Sequence, residues 1–329
     1  MSKKKNSKRK VILIVAIILM IISIIAIIGI VWSMGKVNFE ALDESDLGIN
    51  EELIDGLGIS KKEYDSISNV LLIASDSETW YATEEHADVI MLLSINQTKK
   101  SVKMISVPRD TYVDIEGYKK YKLNKSYSVG GEQLLIKSLN STFDLNITEY
   151  VTVDFTGFIH IINDIGGIEM EITEAEKNYI NDRSGNIYNV SGNKYKSVPY
   201  SGKVILSGEQ AVAHARNRTT ANDIARTSKH RDVMEATMNK IANMDADKIL
   251  GLVDDLLKEV KTNINVMKYT GILTNIVYDR ATYMKNITSV LVPSMDYSKG
   301  MNLQSDGAYV IETDIEKAKE DFIKYMYLT

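Results

Sequence analysis

The sequence contains no cysteine among its 329 residues. A disulfide framework, thiolate zinc sites, iron-sulfur clusters and cysteine nucleophiles are therefore all excluded. Its four histidines form no HExxH or other metal-ligand spacing, so zinc catalysis is not expected. The chain also has neither a GxxxxGK[ST] loop nor a GxGxxG that follows a strand, which argues against chemistry driven by a bound nucleotide.

An excess of positive charge is also missing, because the formal net charge is −5. Nucleic-acid binding needs an extended basic surface that displaces counterions from phosphates, so we expect no nucleic-acid partner. Any site that binds an anion must therefore be formed by a small local group of basic residues. With 44% hydrophobic and 25% charged residues, the chain has the composition of one large or two small globular domains.

A long hydrophobic run lies at the amino terminus. Val11 to Trp32 are 22 uncharged residues, preceded by six lysines and arginines. As a helix this run would be about 33 Å long, enough to span a bilayer. It exceeds the roughly 7 to 15 apolar residues of a cleavable signal peptide, so we expect an uncleaved anchor, with a long signal peptide as the alternative. Because basic residues stay on the cytoplasmic side, residues 1–10 are expected in the cytoplasm, 11–33 in the cell membrane and the rest outside.

The part outside the membrane divides into a spacer and a domain. Residues 34–66 are acidic with short apolar groups, which is typical of a stalk, and residues 67–329 follow as one domain. Apolar runs rich in β-branched residues predict strands, and "NQTKKS" predicts a hairpin between two of them. Helical patterns lie between the runs, as in "EQLLIKSLNSTF" and "TGFIHIINDI". The predicted fold class is α/β with a three-layer arrangement, in which helices cover the faces of a central mixed sheet.

The segment "HARNRTTANDIAR", residues 214–226, concentrates arginines in this acidic chain. Arg216 and Arg218 project from one face if the segment is extended, and Arg226 begins a predicted helix whose amino terminus favours an anion. Guanidinium groups bind phosphate oxygens bidentately, so the group suits a diphosphate. Asp223 could orient one arginine or act as a base. The alternative is a solvated loop with ordinary surface ion pairs.

Further charged residues lie beside the predicted strands. Asp76 follows one strand and Asp88 precedes the next, so both can lie at one edge of the sheet, where ligand sites are common. Mg²⁺ typically binds one or two protein carboxylates together with substrate phosphates. Arg109 and Asp110 leave a third strand, and Lys122 follows in "YKLNKSY"; alone, the Pro-Arg-Asp tripeptide could simply cap a turn.

Five blocks, in this order and spacing behind a membrane anchor, resemble the LytR-CpsA-Psr family of bacterial cell-envelope proteins. The blocks are "LLIASDSE", "HADVIMLLSINQTKKSVKMISVPRDTYVDI", "YKLNKSYSVGG", "YVTVDFTGFIHIINDIGGIEMEI" and "LSGEQAVAHARNR…NDIAR". The resemblance covers about residues 66 to 240, and within the predicted domain the core motifs of the family fall in residues 67–240.

The resemblance implies a membrane-anchored transferase. Such enzymes move an anionic glycopolymer, such as teichoic acid or capsular polysaccharide, from an undecaprenyl-pyrophosphate carrier to peptidoglycan and form a phosphodiester. By the family's motif positions, Asp76 and Asp88 would bind Mg²⁺, with Mn²⁺ as an alternative. The implied pyrophosphate-binding residues are Arg109, Lys122, Arg216, Arg218 and Arg226. The implied catalytic residues are Asp223, Arg109, Arg216 and Arg218.

Two other functions fit the same residues. One is a polyprenyl-pyrophosphate hydrolase, in which water replaces the sugar hydroxyl. The other is a non-catalytic regulator of the envelope that binds the lipid pyrophosphate. The family's prenyl tunnel would be lined here by Phe155, Phe158 and Ile162, whose spacing is also that of an ordinary core helix.

The sequence departs from the family's usual residues around the site. The family often has arginine at the positions of Glu78 and His86, and Arg-Gln at those of Lys229 and His230. These departures put the polymer specificity in doubt more than the reaction.

Overall fold

The computed structural model describes residues 38–50, 52–75, 85–217, 223–245 and 279–329, and between the last two ranges residues 248, 252, 255, 258–265, 269, 271–272 and 275–276. The predicted cytoplasmic tail (1–10) and anchor (11–33) lie outside the described residues. None of the helices in these ranges is both long and apolar enough to cross a bilayer.

A seven-stranded mixed sheet forms the centre of the domain. Its strands are β1 (Asn38–Phe39), β2 (Ile67–Ser75), β3 (Ala87–Asn96), β4 (Ser101–Ser106), β7 (Glu149–Asp154), β10 (Val260–Thr262) and β11 (Ile287–Leu291). They lie in the order β1-β10-β7-β2-β3-β4-β11. β2 is parallel to β7 and antiparallel to β3, and β3 is antiparallel to β4. The predicted mixed sheet, with its hairpin between β3 and β4, is confirmed.

Shorter strands and the helices complete the domain. Three two-stranded pairs are formed by β5 (Tyr112–Val113) with β6 (Tyr121–Lys122), β8 (Ile168–Ile172) with β9 (Gly202–Leu206), and β12 (Ser298–Asn302) with β13 (Tyr309–Thr313). The described α-helices are α1 (Leu53–Gly56), α2 (Lys61–Asp65), α3 (Leu123–Phe143), α4 (Phe155–Asp164), α5 (Glu174–Ser191), α6 (Gly208–Ala215), α7 (Asp223–Ala242), α8 (Arg280–Lys285) and α9 (Ile315–Ile323). A 3-10 helix covers Glu44–Asp46, and a π-helix, Lys324–Leu328, follows α9.

Both faces of the sheet are covered. Leu71 and Ile73 of β2 belong to a large core cluster that includes residues of α3 and α9, whereas Val70 and Leu72 pack in a second cluster with Tyr269. This alternation follows from the period of two residues in a strand. Each fully buried leucine or isoleucine contributes roughly 1.5 to 3 kcal/mol, so the two clusters hold the sheet between its helical layers.

Helix α3 begins earlier than the sequence predicts and contains a break. The pattern "EQLLIKSLNSTF" indicates a helix from Glu132, but α3 begins at Leu123. Gly130 and Gly131 have non-helical backbone angles, and Gly131 has φ of 60°. Two helical pieces therefore meet at this glycine pair, and the first piece starts beside Lys122.

Part of the predicted spacer over 34–66 belongs to the packed domain. Leu47, Leu53 and Leu57 are buried in the large core cluster. Asn38 and Phe39 of β1 pair with β10 at the edge of the central sheet. Its short apolar groups therefore cover the core, which explains how an acidic, loop-rich segment can be ordered.

Candidate active site

The ends of three neighbouring strands meet at one edge of the central sheet. Ser75, the last residue of β2, pairs with Ala87 of β3 and with Asp154 of β7. Asp88 is therefore at this edge, as the sequence predicts. Asp76 follows Ser75 in the chain, but it lies outside the described residues, as does Glu78.

Arg109 connects two carboxylates at this edge. Its Nη1 donates to Oδ1 of Asp88, and its Nε lies 3.6 Å from Oδ2 of Asp110. Lys122 Nζ donates to Oδ1 of Asp110 over 2.8 Å. Asp110 is buried, with 3% of its surface exposed, so it can hold both cations on the protein side of the site. These four side chains form one chain of alternating charge.

The backbone around Arg109 is held by the start of α3. The N–H of Asn124 donates to the carbonyl of Arg109 over 3.0 Å, and the N–H of Leu123 donates to that of Thr111 over 2.8 Å. Main-chain carbonyls therefore satisfy the first donors of α3, which otherwise lack helical partners. This arrangement brings Lys122, the N-cap residue of α3, back to Asp110.

Arg216 lies at the same edge of the sheet through its contact with Phe155. Its guanidinium carbon is 3.9 Å from the ring centre of Phe155, a cation-π contact. Phe155 follows Asp154, which pairs with Ser75, so Arg216 is two strands away from Asp88. Phe155 thus supports an arginine. Of the other residues predicted to line a tunnel, Ile162 is buried in a separate core cluster and Phe158 packs against that cluster.

Asp154 is a further carboxylate at this edge, and the sequence pattern does not single it out. This carboxylate is 7% exposed and accepts a 2.7 Å hydrogen bond from the N–H of Gly157 as the N-cap of α4. Burial raises its pKa, while the bond from Gly157 opposes that effect. An aspartate between an apolar strand and a helix is a common capping signal, so the sequence pattern does not distinguish a functional carboxylate from a cap.

The other predicted residues of this segment are Arg218, Asp223 and Arg226. Arg218 lies outside the described residues, and the backbone places Asp223 and Arg226 in the first turn of α7. Ser207 and Gln210 form the predicted capping box at the start of α6, which ends before Arg216. The segment between Arg216 and Asp223 therefore connects two helices, as predicted.

Lys229, one of the departures from the family's usual residues, is buried rather than exposed at the site. Its Nζ donates to Oε1 of Glu176 on α5, and 8% of the residue is exposed. Burial alone would raise the pKa of Glu176, but hydrogen bonds from Lys229 and Thr173 lower it to about 2. Burial and the charge of Lys229 lower the pKa of neighbouring His214 to about 4, so this imidazole is neutral at pH 7.

A metal ion would have to be held by few protein groups. Among the described residues, no three histidine, aspartate or glutamate side chains are close enough to form a metal site. Mg²⁺ bound to a diphosphate typically needs only one or two carboxylates. Asp88, at the predicted edge and oriented by Arg109, has the oxygen donors that fit this chemistry.

The fold and the site define an α/β domain that gathers aspartate, arginine and lysine side chains at one edge of a mixed sheet. The chain belongs to the LytR-CpsA-Psr family, whose sequence pattern matches residues 37–324.

Named relatives show how far this similarity extends. TagV of Bacillus subtilis (strain 168), a polyisoprenyl-teichoic acid–peptidoglycan teichoic acid transferase, is 25% identical over 303 residues, which are 89% of this chain and 71% of TagV. TagU of Oceanobacillus iheyensis, a transferase of the same name, is 30% identical over 223 residues, 65% of this chain and 64% of TagU.

A solved structure has the same fold. TagT (YwtF) of Bacillus subtilis, with bound octaprenyl pyrophosphate lipid, gives a TM-score of 0.60 at 20% identity and covers 83% of this chain and 95% of TagT.

Proposed function

We propose that this protein transfers an anionic glycopolymer from an undecaprenyl-pyrophosphate carrier to peptidoglycan, forming a phosphodiester. The observation that carries the proposal is the Asp88–Arg109–Asp110–Lys122 chain of charges at the sheet edge, with Arg216 two strands away. Two carboxylates orient cations that a diphosphate can recruit. The names of the relatives TagV and TagU support the same reaction.

In this proposal, the described cations bind the pyrophosphate. Arg109 and Lys122 turn donors toward its oxygens while Asp110 holds their other side, and Arg216 approaches from α6. Because these donors are already oriented, little reorganisation is needed as charge develops on the leaving phosphate. Asp76 and Asp88 would hold Mg²⁺, or Mn²⁺ as an alternative. The metal ion would supply further neutralisation of the phosphate charge.

The proposed transfer breaks one bond and forms another. The acceptor sugar hydroxyl, for example on a muramic acid, gives up its proton, and its oxygen attacks the phosphorus that carries the polymer. The bond from that phosphorus to the bridging oxygen breaks, and the carrier leaves as a prenyl phosphate. Asp223 is the candidate base, and Arg218 and Arg226 are proposed as further pyrophosphate contacts. Cleavage of the pyrophosphate supplies the driving force without ATP.

We also propose the location that the sequence predicts: a single-pass membrane protein with its amino terminus in the cytoplasm and its catalytic domain outside. The pyrophosphate end of the carrier lipid and the peptidoglycan would then both lie on the same side of the membrane as the catalytic domain.

A reconstituted assay tests the function. The full-length protein in detergent micelles is incubated with Mg²⁺, a polyprenyl-pyrophosphate oligosaccharide and peptidoglycan fragments, and products are identified by mass spectrometry. The joined product is expected, and Arg109→Ala should lower its rate by about 10²- to 10³-fold, as the loss of one oriented donor does in other enzymes. Lys299→Ala is the control, because that lysine on β12 is exposed and pairs with the exposed Glu312 on β13.

The products separate the alternatives. Free sugar phosphate without the joined product would mean a polyprenyl-pyrophosphate hydrolase. Tightly bound, unchanged substrate would mean a non-catalytic lipid-pyrophosphate-binding regulator. Equal rates for Arg109→Ala and the wild type would remove Arg109 from the site.

A further inference from the structure

The hairpin of β5 and β6 is attached to the candidate active site at both of its ends. It begins two residues after Asp110 and ends at Lys122, so both of its ends are attached to the chain of charges described above. The residues from its tip to the start of α3, "YKKYKLNK", include four lysines in a protein of net charge −5. A local excess of positive charge is thus continuous with the site.

One face of the hairpin joins Lys120 to the site. Tyr112 is the direct cross-strand partner of Lys122, and directly opposed residues project their side chains from the same face. The Nζ of Lys120 lies 4.9 Å from the ring centre of Tyr112. Lys120, Tyr112 and Lys122 therefore form a row on one face, with Lys122 at the end that contacts Asp110.

The charge of Lys120 is not neutralised. Within the described parts of the chain, no carboxylate lies at ion-pair distance from its ammonium group, and the residue is exposed. The tyrosine ring orients this cation without removing its charge. An unpaired, oriented cation next to a diphosphate site attracts a further anionic group of the same ligand.

The neighbouring lysine is arranged differently. Lys119 lies 4.6 Å from the ring centre of Tyr121, whose cross-strand partner is the buried Val113. This pair alternates with Tyr112 and Lys122, so it occupies the opposite face of the hairpin. Lys119 also lies 3.5 Å from Asp306, which neutralises it. Two adjacent lysines with similar aromatic contacts thus differ in face and in free charge.

We propose that Lys120, oriented by Tyr112, binds an anionic group of the glycopolymer just beyond the pyrophosphate and selects polymers that carry phosphate or carboxylate groups over neutral polysaccharides. This inference rests on the proposed function, because it assumes that the polymer leaves the site along this face. Lys122 holds the pyrophosphate end, and Lys120 lies farther out along the same row.

Equilibrium binding of a free polymer tests this proposal without requiring turnover. Full-length protein in detergent micelles is titrated into fluorescent poly(glycerol phosphate) that carries no lipid, at low and high salt, with a neutral dextran of equal length as the comparison. The wild type should prefer the polyphosphate. Lys120→Ala should weaken its binding by about two- to five-fold at low salt, the range of one exposed ion pair. High salt should abolish this difference.

Two further variants make the result specific. Lys119→Ala should bind poly(glycerol phosphate) like the wild type, and Lys120→Arg should retain binding because the charge is kept. Equal losses in Lys119→Ala and Lys120→Ala, or no preference for the polyphosphate over dextran in the wild type, would overturn the proposal. Binding by a protein that fails to join polymer to peptidoglycan would instead count against the proposed function alone.

Discussion

Single carboxylates determine where the basic side chains of this protein lie. Asp110 is buried and holds Lys122, and it lies 3.6 Å from Arg109 Nε at the sheet edge. Glu176 holds Lys229 in the interior between α5 and α7. Removing one partner of a buried ion pair leaves the other charge without compensation, which is costly. The two carboxylates therefore hold cations in different places: Asp110 holds them at the sheet edge, and Glu176 joins two helices.

The Glu176 pair predicts how stability depends on pH. Since the pKa of Glu176 is lowered to about 2 in the folded protein, its ionised form stabilises the fold above the unfolded pKa of about 4.5. That stabilisation is lost as the pH falls from about 4.5 toward 2. Glu176→Gln should lower the free energy of unfolding at pH 7 by on the order of 3 kcal/mol. Urea unfolding of both proteins at pH 7 and pH 3 measures the difference, which should shrink at pH 3.

Glu174→Gln is the control for this measurement. Glu174 lies two residues earlier on α5 and pairs with the neighbouring Lys177, but it is exposed. Its substitution should leave the unfolding midpoint nearly unchanged at both pH values. A difference between the wild type and Glu176→Gln that does not depend on pH would contradict the role of the ion pair.

Among the secondary-structure elements, α3 connects the site to the core. Its first piece begins at Lys122 and Leu123, and its second piece contributes buried residues such as Leu135 and Leu139. Glu132, just after the break, is 4% exposed and accepts hydrogen bonds from Thr152 Oγ1 over 2.9 Å and Lys261 Nζ over 3.1 Å. The break thus allows one helix to serve both the sheet edge and the interior.

Substitution of Gly131 tests this break, and Gly185 in another helix serves as the comparison with the opposite expected effect. Gly131 has φ of 60° and ψ of −152°, which is accessible essentially only to glycine, and a Cβ there would meet no neighbouring atom within 4 Å. Gly131→Ala should therefore destabilise the protein by about 1 to 3 kcal/mol through backbone strain alone. Gly185, inside α5, also has free space for a Cβ, so Gly185→Ala should stabilise it by about 0.5 to 1 kcal/mol. Denaturant unfolding of both variants measures these changes, and a stabilised Gly131→Ala would contradict the break.

The same helix shows what the sequence can and cannot predict. The apolar pattern after Glu132 predicts the second helical piece. The first piece has the polar and glycine-rich sequence "LNKSYSVGG", which does not predict a helix. It is stabilised by the packing of Leu123 and Tyr127 against distant residues of the core. Strands with strong apolar runs were predictable. Their order was not, because a pairing such as that of β4 with β11 joins residues far apart in the chain.

In the candidate site, too, local patterns were predictable and contacts between distant residues were not. Asp88, Arg109 and Lys122 could be placed near one sheet edge because each lies beside a predicted strand or its following turn. The bridging position of Asp110 depends on burial and on the return of the hairpin to α3. Those are tertiary contacts, and no local pattern reports them.

At the scale of the whole molecule, the residues before β2 join the domain to whatever precedes it. The carboxylate of Glu40 forms an ion pair with Lys261 Nζ at 2.6 Å. The backbone N–H of Glu40 donates to the carbonyl of Thr262 over 3.1 Å. Asn140 of α3 donates its side-chain N–H to the carbonyl of Leu47 over 2.9 Å. With the anchor proposed at 11–33, these contacts would leave only a short connection between the membrane and the folded domain. The position of the site relative to the bilayer would then be set by packing.

A leucine in this segment distinguishes a packed segment from a spacer. Leu47 is 0% exposed and belongs to the large core cluster, whereas Phe39 of β1 is 59% exposed. Leu47→Ala should lower the free energy of unfolding by about 2 to 5 kcal/mol, because it removes buried methyl groups and leaves a cavity. Phe39→Ala is the matched variant and should change it far less. Since a spacer contributes nothing to the core, equal and negligible effects in denaturant unfolding would mean that residues 38–66 are a stalk after all.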